Sequence, residues 1–372
     1  MKKTILHITK YYYPDLGGIE TIAKSMADGL TDFHNVVVGF STTGADSKDS
    51  IDGITVYRVK VHFSVLHQDV AFGYHATLKR LMEEYQPAFV HVHCPNPFVY
   101  PLVMRAINKD TKLVLHWHSD ILAKGIAYQF IKPFERAILK RANLILATSP
   151  NYIHPSSPIY QYKEKTDVVP NGIVTSDFDQ SAGDQERIRS IQQQYGGKPL
   201  VLFVGRHISY KGIELLIEAE QYMKSDCKII IAGTGPLTEE LKAKNHSDRI
   251  VFTGRLSSDE LRCYAWAASV FAFPSSTKAE AFGVALAEAM YCQCVPVVFH
   301  LEGSGVNWVS MKDETGFEVP LGNTKAFAEA IDSILADESL QQRMATAGRL
   351  RVTNMFTDRI AVEKMSKIYH EL

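Results

Sequence analysis

The segment Glu280-Ala-Phe-Gly-Val-Ala-Leu-Ala-Glu288 has the residue pattern with the clearest chemical meaning in this chain. Its two glutamates are separated by seven residues, and a glycine follows shortly after the first. The apolar run 270–273 predicts a buried strand before it, and the apolar spacing after the glycine predicts a helix. A helix N-terminus there would attract an anion, while the carboxylates could accept hydrogen bonds from hydroxyls. The pattern therefore favours a ligand that joins a phosphate to a polyol, such as a nucleotide sugar.

A second loop has two cations between two glycines. Gly205-Arg206-His207-Ile208-Ser209-Tyr210-Lys211-Gly212 follows the predicted strand 200–204 and precedes a predicted helix. Arg206 and Lys211 beside a helix N-terminus would bind a diphosphate. The alternative is a solvated turn with two surface charges.

Two further glycine loops follow predicted strands. Gly17-Gly18 comes after strand 4–8 and leads into a helix, where paired glycines would let the backbone approach a ligand. Gly233-Thr234-Gly235-Pro236 comes after strand 228–232. Each loop could equally be a plain turn.

Histidines alternate along two predicted strands, at His91, His93, His116 and His118. Period-two spacing puts each pair on one strand face, and four imidazoles could ligate zinc. A structural zinc site usually includes cysteine ligands with clearer spacing, so we expect no metal site and no essential divalent ion. His118, just past a strand end, is instead a candidate for contact with a substrate. Asp177-Phe178-Asp179 has the letters of an Asp-x-Asp metal motif, but it lies in a polar linker, and we interpret it as coincidence.

The predicted helix at 127–141 mixes apolar and basic residues. Phe130 and Phe134 alternate with Lys132, Arg136 and Lys140. Such a helix could lie on an anionic membrane surface, but a domain helix with its polar face in water has the same pattern.

Composition excludes several classes of protein. A formal net charge of -1 argues against nucleic acid bound by bulk electrostatics. The N-terminal apolar run stops at His7, so we expect no signal peptide, and no apolar run is long enough to cross a bilayer. The five cysteines form no Cys-x-x-Cys pair, which favours a reduced, cytoplasmic compartment.

The order of apolar runs indicates the fold class. At 372 residues, two domains are expected. Short β-branched runs alternate with helical patterns, which predicts parallel sheets with helices on both faces. We therefore predict an α/β fold of two doubly wound, Rossmann-like domains, 1–180 and 181–356, with ligands in the cleft between them. The final helical pattern, 357–372, would pack back on the first domain or cap its own.

Together these segments resemble the retaining glycosyltransferases of family 4, which have two Rossmann-like domains in the GT-B arrangement. The resemblance extends over essentially the whole chain. Its markers are Gly17-Gly18, His118, Pro170-Asn171-Gly172, Val204-Gly205-Arg206 with Lys211-Gly212, Gly233-Thr234-Gly235-Pro236 and the Glu-x7-Glu segment. His116-Trp117-His118-Ser119-Asp120 and Ala147-Thr148-Ser149-Pro150-Asn151-Tyr152 are similar to a subgroup that includes O-antigen mannosyltransferases.

The resemblance implies a role for each matched position. Arg206 and Lys211 would bind the donor diphosphate and stabilise the leaving group, and His118 would lie by the reacting sugar. Glu280 would bind hydroxyls of the donor sugar, and Glu288 those of the ribose. Further donor contacts would come from Gly17, Gly18, Gly235, Arg255, Leu256, Ala281, Phe282, Gly283 and Val284.

The implied reaction is retaining transfer of a hexose from a GDP- or UDP-sugar to a glycan. The subgroup resemblance favours mannose as the sugar and a lipid-linked oligosaccharide at the inner face of the cell membrane as the acceptor. No cofactor or metal would take part, because the cations and the helix end would stabilise the charge on the leaving diphosphate.

Other functions would use parts of the same pattern. A glycoside hydrolase also needs two carboxylates, roughly 5–9.5 Å apart, whereas helical spacing puts Glu280 and Glu288 about 12 Å apart. A non-catalytic nucleotide-sugar-binding protein would keep the cations but would not need His118. A sugar-nucleotide epimerase would also use two such domains, and only the Glu-x7-Glu resemblance argues against it.

Overall fold

The computed structural model describes residues 2–15, 17–65, 68–121 and 126–372. The chain divides into two compact units, Met1–Gly172 with Asp358–Leu372, and Ile173–Thr357. The division lies ahead of the predicted boundary at 181 because residues 173–180 bind to the second unit. The Ile173 amide donates to the Phe356 carbonyl at 2.8 Å, and the Trp266 indole donates to the Phe178 carbonyl at 2.7 Å.

The first unit is built on a largely parallel sheet. In chain order, the strands of the first unit are β1 Thr4–Ile8, β2 His34–Ser41, β3 Ser47–Ile51, β4 Ile54–Lys60, β5 Phe63–Val65, β6 Gln68–Val70, β7 Phe89–Cys94, β8 Lys112–Trp117, β9 Leu144–Ala147 and β10 Thr166–Val168. The main sheet has the order β10-β9-β8-β7-β1-β2-β4-β3, and β5 and β6 form a separate hairpin. Every neighbouring pair in the main sheet is parallel except β3 with β4.

The edge strand β3 was not predicted from the sequence, and its composition explains why. Its residues, Ser-Lys-Asp-Ser-Ile, are exposed or half-buried. Such a strand lacks the apolar alternation that marks a half-buried strand. Exposed charge on an edge also discourages pairing with another chain.

Helices cover this sheet, and the last of them comes from the far end of the chain. They are α1 Gly18–Gly29, α2 Tyr74–Tyr85, α3 Val99–Ala106 and α4 Ile126–Arg141, with Asp358–Glu371 as the C-terminal helix. Within that C-terminal helix, Tyr369 is fully buried, and its ring centroid lies 4.7 Å from that of Phe89 on β7. Gly29 lets the helix approach α1, since a Cβ there would lie 2.6 Å from Cγ2 of Val362.

The second unit contains a wholly parallel sheet with an apolar core. Its strands are β11 Leu200–Val204, β12 Lys228–Ala232, β13 Ile250–Gly254, β14 Val270–Phe273, β15 Val295–Phe299 and β16 Phe317–Val319. They have the order β13-β12-β11-β14-β15-β16. Burial on both faces requires near-continuous apolar strands, and β14, Val-Phe-Ala-Phe, is buried at every position.

The helices of the second unit are α5 Asp184–Gln194, α6 Ile213–Glu220, α7 Thr238–Lys244, α8 Ser258–Ala267, α9 Val284–Tyr291, α10 Val306–Val309, α11 Thr324–Ala336 and α12 Glu338–Met355. The C-terminal helix is therefore α13. α8 begins with a capping box, in which Ser257 and Glu260 satisfy each other's backbone N–H groups. Across the described ranges, no helix has both the length and the apolar sequence that a membrane span requires.

Candidate active site

The loop after β11 is held against the loop after β14 by a glycine. Gly212 precedes α6 in the left-handed region, with φ of 64°. A Cβ at this position would lie 2.1 Å from the Pro274 carbonyl oxygen. Only glycine allows both this backbone conformation and this close approach. The contact sets the position of Lys211, the residue just before Gly212.

Lys211 forms an ion pair with Glu280, which lies in the loop between β14 and α9. The two side chains are only 13% and 12% exposed. The Ser275 hydroxyl donates to the same carboxylate at 3.3 Å, and the Lys211 ammonium lies 5.3 Å from the centre of the Phe273 ring. The structure thus joins two predicted site residues, and it adds Ser275 and Phe273, which the sequence did not single out.

The segment that connects Glu280 to α9 is held by hydrogen bonds from residues 304 and 305. The Ser304 hydroxyl donates to the Glu280 carbonyl, and the Gly305 amide donates to the Ala281 carbonyl at 2.9 Å. Gly283, with φ of 88°, then turns the chain into α9. The chain between Glu280 and the start of α9 at Val284 is therefore held in place by these two hydrogen bonds.

Glu288 lies one turn into α9 in a different environment. It is partly buried and lines a narrow cavity with Phe178, Leu202 and Phe271 among other apolar neighbours. Burial raises the pKa of Glu288 to about 7, and the negative charge of Asp177 contributes to the rise. Asp177, interpreted from the sequence as part of a coincidental motif, therefore acts electrostatically on a predicted site residue.

The Gly233–Gly235 loop packs backbone to backbone on the Gly205–His207 loop. A Cβ on Gly233 would lie 2.0 Å from the Gly205 oxygen, and one on Gly235 would lie 2.5 Å from the His207 oxygen. The His207 amide also donates to the Thr234 carbonyl at 3.1 Å. The glycines at 233 and 235 thus have a structural reason to be there, whether or not they also contact a ligand.

The remaining predicted residues of the second unit are spread around this loop system. Arg206 is exposed, and its guanidinium has no partner among the residues that the structure describes. It does not share the ion pair of Lys211. Arg255 is exposed as well, whereas Leu256 packs against the apolar core, and Ala281 and Phe282 are buried.

Three predicted residues lie in the first unit. His118 is buried just past β8, and one of its ring nitrogens, Nε2, lies 3.0 Å from Nδ1 of His93. Loss of solvent lowers the pKa of His118 to about 4, so the imidazole is neutral at pH 7. Gly17 caps α1 with an extended backbone. At Gly18, the first residue of that helix, an added Cβ would have no atom within 4 Å among the described residues.

Comparisons with known proteins cover both units. Residues 16–177 match the family model "Glycosyltransferase Family 4", and residues 184–351 match "Glycosyl transferases group 1". The chain is 26% identical to the O-antigen chain mannosyltransferase C of Escherichia coli, over 99% of this chain and 98% of that protein. It is 27% identical to D-rhamnosyltransferase WbpZ of Pseudomonas aeruginosa, over 95% and 92% of the two chains.

Solved structures show the same architecture. A sucrose-phosphate synthase from Thermosynechococcus elongatus superposes with a TM-score of 0.80 at 20% identity, over 100% of this chain and 99% of that one. Alr3699/HepE of Anabaena, solved in complex with UDP, superposes with a TM-score of 0.78 at 20% identity, over the whole of both chains. These likenesses confirm the predicted fold class, with two Rossmann-like α/β domains of the GT-B type.

Proposed function

The chain is a glycosyltransferase of the family 4 type, in which a family 4 domain precedes a group 1 domain, and from this premise we propose that it transfers a hexose from a GDP- or UDP-sugar to a glycan with retention of configuration. The observation that carries the proposal is the ion pair of Lys211 and Glu280, in which Glu280 precedes the first residue of α9 by four positions. A cation, a carboxylate and a helix N-terminus in one place are what a sugar diphosphate needs.

In this proposal the donor's diphosphate binds Lys211, the N-terminus of α9 and the exposed Arg206. Cations and helix ends stabilise phosphate charge by the same electrostatic attraction. Glu280 accepts hydrogen bonds from the sugar hydroxyls, and Glu288 accepts them from the ribose. Gly235, Arg255, Leu256 and residues 281–284 complete the donor site in the second unit. The donor contacts of His118, Gly17 and Gly18 stay predictions from the family resemblance.

The proposed reaction exchanges one bond for another at the anomeric carbon. The bond from that carbon to the diphosphate oxygen breaks, and a bond to the acceptor hydroxyl oxygen forms on the same face. The acceptor's proton goes to the departing diphosphate, so no protein nucleophile is required. Lys211 and Arg206 stabilise the negative charge that develops on the leaving group, and no metal ion is needed for that task.

We further propose mannose as the sugar and a lipid-linked O-antigen or exopolysaccharide precursor as the acceptor. The support is that two similar proteins are named as an O-antigen chain mannosyltransferase and a D-rhamnosyltransferase. The choice between GDP and UDP stays open, since the names of solved neighbours mention UDP and UDP-glucose.

We also propose that α4 docks on the cytoplasmic face of the membrane that holds such an acceptor. Phe130 and Phe134, one turn apart, are 74% and 46% exposed, and Arg136 and Lys140 are exposed on the same helix. Aromatic residues that insert beside basic residues bind anionic lipid surfaces. Phe130→Ser should reduce sedimentation with vesicles containing phosphatidylglycerol, whereas Phe72→Ser, which removes another exposed phenylalanine, should not.

Ligand binding and product analysis test the transfer proposal together. Thermal shift with GDP, UDP, GDP-mannose and UDP-glucose should raise the melting temperature for one base, because a ligand that binds only the folded state stabilises it. Labelled donor with methyl α-D-mannopyranoside should then yield a disaccharide with the α-linkage.

Each contrary outcome of this experiment identifies an alternative. Binding of the donor without transfer to any acceptor would indicate a non-catalytic nucleotide-sugar-binding protein. Conversion of the donor to its epimer would indicate a sugar-nucleotide epimerase. Cleavage of a glycoside without any nucleotide would contradict the whole assignment.

A further inference from the structure

Histidines fill part of the interior of the first unit, where apolar residues are expected. They lie on three neighbouring strands, His7 on β1, His91 and His93 on β7, and His116 and His118 on or just after β8. His7 is in register with His91, and His93 is in register with His116. All five side chains are at most 5% exposed. The sequence predicted the pairs on β7 and β8 but not the contribution of His7.

The hydrogen bonds of Asn35 define the tautomer of His7. The Asn35 amide nitrogen donates to the Leu30 carbonyl at 2.9 Å, so the Asn35 amide oxygen is the atom that faces His7 Nε2, at 3.1 Å. This oxygen can only accept, and His7 Nε2 is therefore protonated. In a neutral imidazole the other nitrogen then carries a lone pair. That nitrogen, Nδ1, is buried and has no hydrogen-bond partner within the part of the chain that the structure describes.

His91 and His93 repeat this arrangement. His91 Nδ1 lies 2.6 Å from the Tyr369 hydroxyl, and His93 Nδ1 lies 3.0 Å from His118 Nε2. In both rings the opposite nitrogen, Nε2, is buried and has no partner among the described residues. If each Nδ1 donates its hydrogen, each Nε2 carries a lone pair, as His7 Nδ1 does.

The three rings converge. His7, His91 and His93 each offer one ring nitrogen, and these three nitrogens lie within 4.8 Å of one another. Each of the three rings also has one buried nitrogen without a partner among the described residues. A water molecule could donate to only two such lone pairs, whereas a metal ion could accept all three. From this geometry we propose that His7, His91 and His93 form a binding site for a zinc-class transition-metal ion in the core of the first unit.

The surroundings of the three rings match those of known metal ligands. Ligating histidines usually hold a second hydrogen-bond partner on the ring nitrogen that faces away from the metal, and here Asn35, Tyr369 and His118 are placed to do so. Histidines bind metals in the neutral form, and burial lowers the pKa of His7 to about 4 and that of His91 and His93 well below the ordinary value. Imidazole ligands suit zinc, nickel, copper and iron.

A neighbouring group competes for the same ion. His93, His116 and His118 also bring ring nitrogens within 4.8 Å of one another. In that group His93 and His118 are already hydrogen-bonded to each other, so at least one would exchange that bond or use its far nitrogen. The group with His7 requires no such exchange. An ion there would connect β1 to β7 and, through Tyr369, to α13.

Zinc stoichiometry tests the site directly. Full-length protein without a histidine tag is stripped with EDTA under mild denaturant, refolded, dialysed against micromolar Zn²⁺ and measured by mass spectrometry. Wild type should hold one zinc per chain. His7→Gln and His91→Gln should lose at least four-fifths of it, and His116→Gln, an equally buried histidine outside the group, should keep it. A wild-type protein that holds no zinc overturns the proposal, as does loss of zinc in His116→Gln with retention in His7→Gln.

X-ray absorption of the zinc-loaded wild-type protein gives an answer even if a variant fails to fold. Three imidazole ligands should appear, with nitrogen at about 2.0–2.1 Å from the metal. A sulfur ligand at about 2.3 Å, or a shell of oxygen with fewer than three imidazoles, would place the ion elsewhere and overturn the assignment. Circular dichroism of each metal-free variant separates loss of a ligand from loss of fold.

Discussion

The two units place their polar groups in opposite ways. In the second unit, β11, β14 and β15 contain only apolar residues and proline, and the ionisable residues of the candidate site lie in loops and a helix beyond the strand ends. In the first unit, β7 reads Phe-Val-His-Val-His-Cys and is buried at every position. A polar group at a strand end is available to a ligand, whereas one inside a sheet must be satisfied within the protein. The second unit thus has the arrangement of a site for exchangeable ligands. The first unit has polar groups that belong to its internal structure.

The largest effect on transfer should come from Lys211→Ala. This variant tests whether the charges of the loop serve to bind a ligand or only to stabilise the fold. We expect kcat for transfer to fall about 10²–10³-fold, because a group that stabilises developing charge is lost. Glu280→Ala should have an effect of similar size. Both variants should stay folded with a lowered melting temperature, because each leaves one partner of a largely buried ion pair without its counter-charge, and kcat is therefore compared on folded protein.

Lys242→Ala is the matched control for Lys211→Ala. Lys242 is a half-exposed lysine of the same unit that pairs with Glu239 on α7. Its removal should leave transfer unchanged. If Lys211→Ala kept the wild-type kcat, Lys211 would be a surface charge with no role in transfer.

The next largest effect concerns the glycine that holds the site loops together. Gly212→Ala should reduce the free energy of unfolding by about 2–3 kcal/mol and lower transfer as well, because the left-handed backbone and the Pro274 carbonyl both oppose a Cβ. Gly254→Ala is the control, since Gly254 has a similar φ of 72° but nothing within 4 Å of its added Cβ. It should cost about 1 kcal/mol, measured by urea unfolding. Equal costs would show that the loop contact does not restrict residue 212.

Glu288 gives the second unit a pH dependence with a defined sign. Its pKa is about 7 in the folded protein against 4.5 for the ordinary side chain, so the folded state keeps a proton that the unfolded chain releases between these values. The free energy of unfolding should therefore fall as pH rises from about 4.5 to 7 and receive no further change from Glu288 above that.

The matched variants isolate this contribution. Glu288→Gln should flatten the pH dependence by about 2 kcal/mol, as a shift of this size in a partly buried group allows. Glu329→Gln, an exposed glutamate paired with Lys325, should leave it unchanged. Melting temperatures of ligand-free protein at pH 5 and pH 8 measure the difference, and parallel curves for wild type and Glu288→Gln would contradict the raised pKa.

The smallest effect compares one buried tyrosine hydroxyl in each unit. Tyr369→Phe leaves His91 Nδ1 without its partner in a fully buried environment and should cost about 2 kcal/mol. Tyr264→Phe removes the 3.0 Å contact with the Tyr195 hydroxyl, but these two residues lie at the surface edge, at 9% and 8% exposure. Water can replace that partner, so we expect about 1 kcal/mol. Hydrogen exchange of peptides from each unit measures the loss of unfolding free energy in both variants. A larger loss for Tyr264→Phe than for Tyr369→Phe would contradict the proposed difference between the two units.

The sequence predicted the fold well because local patterns determine it. The apolar strands β1, β11, β14 and β15 follow from short β-branched and aromatic runs between turn residues. β3 was missed because an exposed edge strand needs no apolar face. The boundary at 181 was displaced because polarity marks solvent exposure, whereas residues 173–180 are held to the second unit by the buried side chains of Ile173 and Phe178 and by hydrogen bonds.

The sequence predicted the individual residues of the candidate site, but it did not predict which of them contact each other. Lys211 and Glu280 lie 69 positions apart in sequence, and their pairing depends on β11 and β14 being neighbours in the sheet. The effect of Asp177 on Glu288 was missed for the same reason. His7 was overlooked because a lone histidine in a strand has no pattern of its own, and only the strand order brings it to His91.

The position of α13 has a consequence for biosynthesis. The second unit is continuous in sequence, whereas the first is completed by Asp358–Leu372. Domains fold as units while the chain leaves the ribosome, so the unit that is translated first has to wait until Asp358–Leu372 emerges. Until then Phe89 and His91 lack the Tyr369 side chain that covers them. During that interval, the nascent first unit would offer this uncovered surface to a chaperone.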